Sequence, residues 1–105
     1  MKNVTSLLDS MQNLLDYNTI RKKIWERDRW CVICGSQGHD VHHVVYRSHG
    51  GKDTENNLVL LCRNCHSAIH DGSPNSAMVK RGLYTIKQVY AYLTRYIKNR
   101  LWRIH

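Results

Sequence analysis

The chain has no run of eighteen apolar residues and no amino-terminal stretch that reads basic, then apolar, then small. The first absence excludes a membrane-spanning helix and the second a secretory signal, so the expected setting is cytoplasmic. No cysteine lies outside two C-x2-C pairs, Cys31/Cys34 and Cys62/Cys65. In a reducing compartment such pairs favour thiolate ligation of a metal over disulfides. Proline occurs once, at Pro74, and there is no internal repeat, low-complexity tract or clear boundary between two domains. Acid is missing from the last third: Gly72 to His105 holds Lys80, Arg81, Lys87, Arg95, Lys98, Arg100 and Arg103 but no Asp or Glu. The net charge of +8 is therefore concentrated there, and the first 71 residues are nearly neutral. A one-sign third suits a polyanionic partner, nucleic acid being the commonest, or else a solvated face that maintains solubility.

A chain of 105 residues buries only about two-thirds of its unfolded surface, so one domain with a staple is expected. Val4, Leu7, Leu8, Met11, Leu14 and Leu15 recur at helical spacing and form one apolar stripe. The stripe covers the domain's own small core or docks a second copy or partner. Asn18 and Thr19 read as caps of a second helix, Ile20 to Arg29, with Ile24 and Trp25 inward. Cys31 to Gly35 reads as a metal-knuckle turn, Asp40 to Tyr46 as a short strand, Ser48 to Asn56 as turn-rich, and Leu58 to Leu61 as the returning buried strand. Cys62 opens a helix carrying Cys65, His66, Ile69 and His70 that fades at Asp71 to Pro74. Ser73 to Gly82 reads as a loop or linker. Thr85 with Gln88 is a capping-box pattern, and Ile86, Val89, Tyr90, Leu93, Tyr96, Ile97 and Leu101 give a final amphipathic helix.

The four cysteines supply the thiolate set that zinc accepts tetrahedrally with every position filled, a closed site that folds the chain rather than catalyses. The histidines need a separate account. His66 and His70, at i and i+4, project from one helix face about 6 Å apart, and a hairpin packed on that helix could add His42. Three imidazoles leave coordination positions open for water or a phosphate oxygen. His43 is then free as a general base, since imidazole is the side chain suited to taking a proton from water. Strand neighbours point to opposite faces, so His42 and His43 must sit at a distorted strand end, or the metal must lie to one side. Singly, each histidine is more often a surface or satisfied core residue, and His39, His49 and His105 keep that reading.

His42-His43, Arg47-Ser48, Gly50-Gly51, Asp53, Asn57-Leu58 and Cys62-x2-Cys65-His66-x3-His70 together resemble the HNH endonuclease family in its zinc-knuckle-bearing form. The resemblance runs from residue 20 to residue 71, and the spacing is also similar to that of the colicin nuclease core. It implies an α+β fold: a small ββα-metal (HNH/His-Me finger) core with a four-cysteine zinc knuckle, flanked by N- and C-terminal helices. The segments would be residues 1–19, an amphipathic helix; 20–72, the nuclease core with its knuckles; and 73–105, a linker and basic helix. By the same resemblance His43 is the general base, His42, His66 and His70 ligate the catalytic ion, and Asn57 holds the loop and the base's orientation. Family members often have proline where this chain has Tyr46, which leaves the turn geometry open.

The function implied is divalent-metal-dependent hydrolysis of DNA phosphodiester bonds, nicking one strand or cutting both, leaving a 5′ phosphate and a 3′ hydroxyl with weak sequence preference. Arg47 would clamp a phosphate or pair with Asp53, and Lys87, Arg95 and Lys98 would hold phosphates. Zinc is the expected structural ion. The catalytic ion stays open among Mg2+, Mn2+, Ni2+ and Zn2+, because hard magnesium prefers oxygen to imidazole. Small members of this kind occur in phages, mobile elements and restriction systems, some with packaging machinery, so a homodimer or larger assembly in a host cytoplasm fits the resemblance. The competing class is a noncatalytic zinc-finger module that binds nucleic acid through the cysteine framework and basic tail.

Overall fold

Two four-residue strands with opposite faces buried against different helices organise this protein. The computed structural model describes residues 16–104. The stripe expected between Val4 and Leu15 lies outside the described residues, as does its docking role. Helix α1 occupies residues 16–28, so it is already under way before Asn18 and Thr19, which do not cap it. Tyr17, Ile20 and Ile24 explain this, because their spacing continues one apolar face onto Leu58 and Leu60. The helix ends where Arg29 takes a left-handed φ of 64°, a helix-terminating conformation that a non-glycine residue adopts here.

Strands β1 (Asp40–His43) and β2 (Leu58–Leu61) pair antiparallel, with His42 opposite Val59 and His43 opposite Leu58. The strand expected through Tyr46 therefore stops at His43. β2 is buried along its whole length, and the pleat sends alternate side chains to two clusters. Leu58 and Leu60 pack with Ile24 beneath α1, whereas Val59 and Leu61 join Ile33, Ile69, Met78, Val89, Leu93 and Ile97 in the main core. Helix α2 (Arg63–Asp71) follows β2 directly; Cys62 is its N-cap, its sulfur accepting the Cys65 N–H, and Gly72 closes it at a φ of 73°.

Ser73 to Gly82 is not a bare linker. It contains a short helix α3 (Ser76–Lys80), capped by Asn75, whose side chain accepts the Met78 N–H at 2.9 Å. Met78 is fully buried in the main core, and that single apolar anchor fixes a segment too short to show periodicity. Helix α4 (Ile86–Ile104) begins at the expected capping box: Gln88 N–H donates to Thr85 Oγ1 at 3.1 Å and Thr85 N–H to Gln88 Oε1 at 3.2 Å. Its Val89, Leu93 and Ile97 are buried, while Lys87, Arg95 and Lys98 are exposed. Arg100 turns inward, its guanidinium donating to Asp28 and to the Arg27 carbonyl. Among the described residues no helix is long and apolar enough to cross a membrane.

Candidate active site

The four cysteine sulfurs lie within 4.8 Å of one another. Cys34 and Cys62 sulfurs are 3.6 Å apart, and all four thiols are free. Tetrahedral zinc with sulfurs at about 2.3 Å requires sulfur–sulfur edges of about 3.8 Å, so this is the spacing of co-ligands. The first pair sits on a tight turn, Gly35 N–H donating to the Cys31 carbonyl at 2.9 Å and Gly35 taking a φ of 78°. Val32 N–H donates to the Leu60 carbonyl at 3.1 Å, tying that turn to β2 and so to the second pair. The Cys31 thiol is brought down to about 4, first by the Cys65 thiol and then by nearby backbone N–H groups that outweigh its burial. Asn75 Nδ2 donates to the Cys65 sulfur at 3.4 Å. The cluster fits a structural zinc.

On the far side of α2, His42, His66 and His70 form a second group whose ring nitrogens also lie within 4.8 Å of one another. His66 Nε2 and His70 Nε2 are 3.0 Å apart, close to the edge expected of two nitrogens sharing an ion at about 2.0–2.1 Å. His42 is buried, and its Nε2 has no hydrogen-bond partner. Burial, and then the neighbouring His66, His70 and His43, push its pKa down to about 3, so it is a neutral imidazole. An orphaned buried nitrogen costs about 1–3 kcal/mol unless something occupies it, and a metal ion is the occupant these three rings fit. His66 Nδ1 meets Asp40 Oδ2 at 3.2 Å. A carboxylate engaging one ring nitrogen fixes the tautomer and turns the other, here Nε2, toward the ion.

The strand geometry sends the two adjacent histidines to different neighbours. His42 faces α2, its ring 5.2 Å from that of His66. His43 faces the α1 side, its ring stacked on Tyr17 at 5.9 Å and its Nε2 2.7 Å from Asp53 Oδ1. β1 ends here, so both rings border one cleft of about 380 Å³, together with Tyr17, Tyr46, Arg47, His66 and His70. The loop from Val44 to Asn57 forms its rim. Asn57 clamps that loop, its Oδ1 accepting from Val45 N–H at 2.8 Å and its Nδ2 donating to the Val45 and Lys52 carbonyls at 3.0 Å each. Gly51 permits the closure, because a Cβ there would overlap the Val45 carbonyl. Asn57 thus holds the loop, and its side-chain bonds go to loop backbone, whereas Asp53 is the residue on His43.

Residues 31–72 match the model of the HNH endonuclease family. This segment is an HNH domain. A stretch of 31 residues is 55% identical to the type IV methyl-directed restriction enzyme EcoKMcrA of Escherichia coli (strain K12), covering 30% of this chain and 11% of that enzyme. The chain thus spans about a tenth of that relative's length. No solved structure matches.

Arg47 spends its fork on Asp53, Nε to Oδ1 at 2.9 Å and one terminal nitrogen to Oδ2 at 3.0 Å, with its guanidinium 4.6 Å from the Tyr17 ring. Tyr46, at the position where proline is common, stands edge-on to His42 at 5.8 Å, stacks on His70 at 6.1 Å and meets Tyr90 of α4 at 6.2 Å. It therefore packs the HNH domain's histidine cluster against the C-terminal helix. Sequence reasoning missed Asp40 as a partner of His66, although the signal was present: Asp40 and His42 are two apart on one strand and so share the face toward α2. Tyr17 and Tyr46 carried no comparable signal. Their roles depend on which elements meet in space.

Proposed function

We propose that this protein is a divalent-metal-dependent endonuclease that hydrolyses DNA phosphodiester bonds. The observation that carries the reading is the pairing of an unpartnered, buried His42 nitrogen with His66 and His70 at ligand spacing, beside a fourth histidine held apart from them by Asp53. His42, His66 and His70 would hold the catalytic ion through ring nitrogens. The cysteines would hold zinc and keep α2 docked to the first knuckle. An ion bound there supplies Lewis-acid stabilisation of the negative charge that builds on the phosphate and the departing oxygen.

The protein's own groups do the rest. His43 takes a proton from a water molecule in the cleft, the water oxygen forms a bond to phosphorus, and the bond from phosphorus to the 3′ oxygen breaks. Solvent protonates that oxygen, leaving a 3′ hydroxyl and a 5′ phosphate. Lys87 and Lys98 are eleven residues apart on α4 and, with Arg95, face solvent on one side of the helix. At about 1.5 Å per residue they span about 16 Å, long enough to follow several phosphates. Arg47, at the cleft mouth, meets the phosphate next to the scissile one. Affinity then comes from backbone charge, and sequence preference is weak. A cytoplasmic setting and a role in a phage or other mobile element are consistent with a nuclease of this kind.

The test is a supercoiled-plasmid assay with the zinc-loaded protein first without any added divalent ion, then with magnesium, manganese, nickel or zinc added. The proposal expects relaxed or linear DNA with at least one ion, none without added ion, and ligatable 5′-phosphate ends. A protein that binds DNA but leaves the plasmid supercoiled with every ion would be a zinc-stabilised binding module instead.

A further inference from the structure

We propose that Asp53 is the positioning residue for His43, holding it as the Nε2–H tautomer so that Nδ1 is the nitrogen that accepts the proton from water. The inference rests on the nuclease reading for its consequence, but its geometry stands alone. Asp53 Oδ1 lies 2.7 Å from His43 Nε2. An ionised carboxylate has no hydrogen to give, so the hydrogen in that contact belongs to Nε2 and the lone pair to Nδ1. Asp53 is ionised at neutral pH, because the Arg47 hydrogen bond, followed by that of His43, holds its carboxyl below the usual range against the effect of burial.

The carboxylate is itself fixed. Arg47 engages both of its oxygens, a bidentate geometry that permits little rotation. Arg47 in turn lies against the Tyr17 ring, which stacks on His43. Tyr17, His43, Asp53 and Arg47 thus close a ring of contacts drawn from α1, β1 and the loop. The Asn57 clamp and the close approach at Gly51 bring residue 53 back over the strand end. Asn57 therefore acts on the base at one remove, through the loop that delivers Asp53. The division of labour is physical: Asn57 satisfies backbone groups that have no sheet partner, and Asp53 selects a tautomer.

Two readouts test this on the full zinc-loaded chain. Nitrogen chemical shifts of the His43 ring at mildly alkaline pH should report the Nε2–H form in the wild type and a mixture of tautomers in Asp53→Ala. Asp53→Asn, whose amide can accept from Nε2–H through its oxygen or donate to Nε2 through its nitrogen, should lose the single tautomer and with it part of the rate. Plasmid cleavage by Asp53→Ala should show kcat lower by at least about 10-fold, a portion of the roughly 10²–10⁴ that a positioned base contributes. A wild-type Nδ1–H tautomer, an Asp53→Ala tautomer identical to wild type, or an Asp53→Ala kcat equal to wild type would each overturn the proposal. If Asp53→Ala does not fold, the wild-type tautomer and the Asp53→Asn rate decide it, because a wild-type Nδ1–H form or an Asp53→Asn kcat equal to wild type is equally contrary. Wild-type cleavage separates the two levels: a plasmid left supercoiled by the wild type with every ion refutes the nuclease reading and full activity in His43→Ala refutes the base assignment, while the tautomer result still judges the Asp53 contact.

Discussion

Replacing Asp28 should be the most damaging single change outside the metal ligands. Its side chain is fully buried and receives Arg27 at 2.7 and 2.9 Å, the Tyr96 hydroxyl at 2.7 Å, the Leu60 N–H at 3.0 Å and Arg100 at 3.3 Å. One carboxylate therefore joins α1, β2 and α4. Removing one member of a buried charge pair costs about 3–5 kcal/mol. Arg27 retains the Glu55 and Leu58 carbonyls as acceptors, and Arg100 is 31% exposed, which places Asp28→Ala near the lower end, about 3 kcal/mol. For a domain of this size each kcal/mol lowers Tm by about 4–8 °C, so the fall should be roughly 12–24 °C. Tyr96→Phe, which removes one donor to a charged acceptor and leaves the others, should cost about 1.5 kcal/mol. Thermal and urea unfolding at constant free zinc provide the assay. A loss below about 1 kcal/mol for Asp28→Ala, or a larger loss for Tyr96→Phe than for Asp28→Ala, would refute the account of the knot. Its pH dependence has a definite sign. Burial raises the Asp28 pKa, but the hydrogen bonds from Arg27 and Tyr96, the Arg27 charge and the Leu60 N–H more than offset it, and the folded value lies below the ordinary 3.8. The contribution is fully present above the unfolded value and is lost as pH falls through the lower folded one. The stability gap between wild type and Asp28→Asn should therefore narrow only below about pH 4.

Three other outcomes follow from the site and the basic helix. Stripping the cysteine-bound zinc with a strong chelator should unfold the chain, since structural zinc contributes about 10–16 kcal/mol of binding energy, comparable to or above the whole stability of a small domain; circular dichroism and metal analysis should show both losses together, and a chelated chain that stays folded would contradict this. Asp40→Asn should weaken the histidine-site ion by about 10- to 100-fold, as loss of an outer-shell carboxylate does, without releasing the cysteine-bound zinc, as read by cobalt or nickel titration. Changing Lys87, Arg95 and Lys98 to alanine should reduce the slope of log K for DNA against log salt by about 0.9 for each phosphate that the helix no longer neutralises; an unchanged slope would show that α4 does not face DNA.

Much of this architecture was legible in residue spacing. Paired C-x2-C turns, an i,i+4 histidine pair and the apolar strand Leu58–Leu61 each have a local cause, and each lies where its pattern places it, whereas β1 begins at Asp40 as expected but ends three residues early. The capping box at Thr85 and Gln88 is equally local. What the sequence concealed depends on tertiary contact. Met78 converts an aperiodic stretch into a packed helix because one long apolar side chain finds the core. Arg100 resembles its exposed neighbours on α4, yet it turns inward because Asp28, distant in sequence, lies beneath it. Asp53 reads as an ordinary turn former, and only the closure of the loop at Gly51 and Asn57 brings it to His43. In the candidate site the histidines that the fold brings together were visible, whereas the residues that contact them, Asp40, Asp53 and Tyr46, required the fold.

The most direct test of the central claim is metal-dependent plasmid cleavage by wild type and His43→Ala, measured beside their zinc content and DNA affinity. The account predicts that the variant keeps its zinc, its fold and nearly its full affinity, and loses cleavage by at least about 10²-fold. Cleavage at the wild-type rate by a folded, zinc-loaded His43→Ala would contradict it, because the proton would then be taken by a group other than the histidine that Asp53 holds.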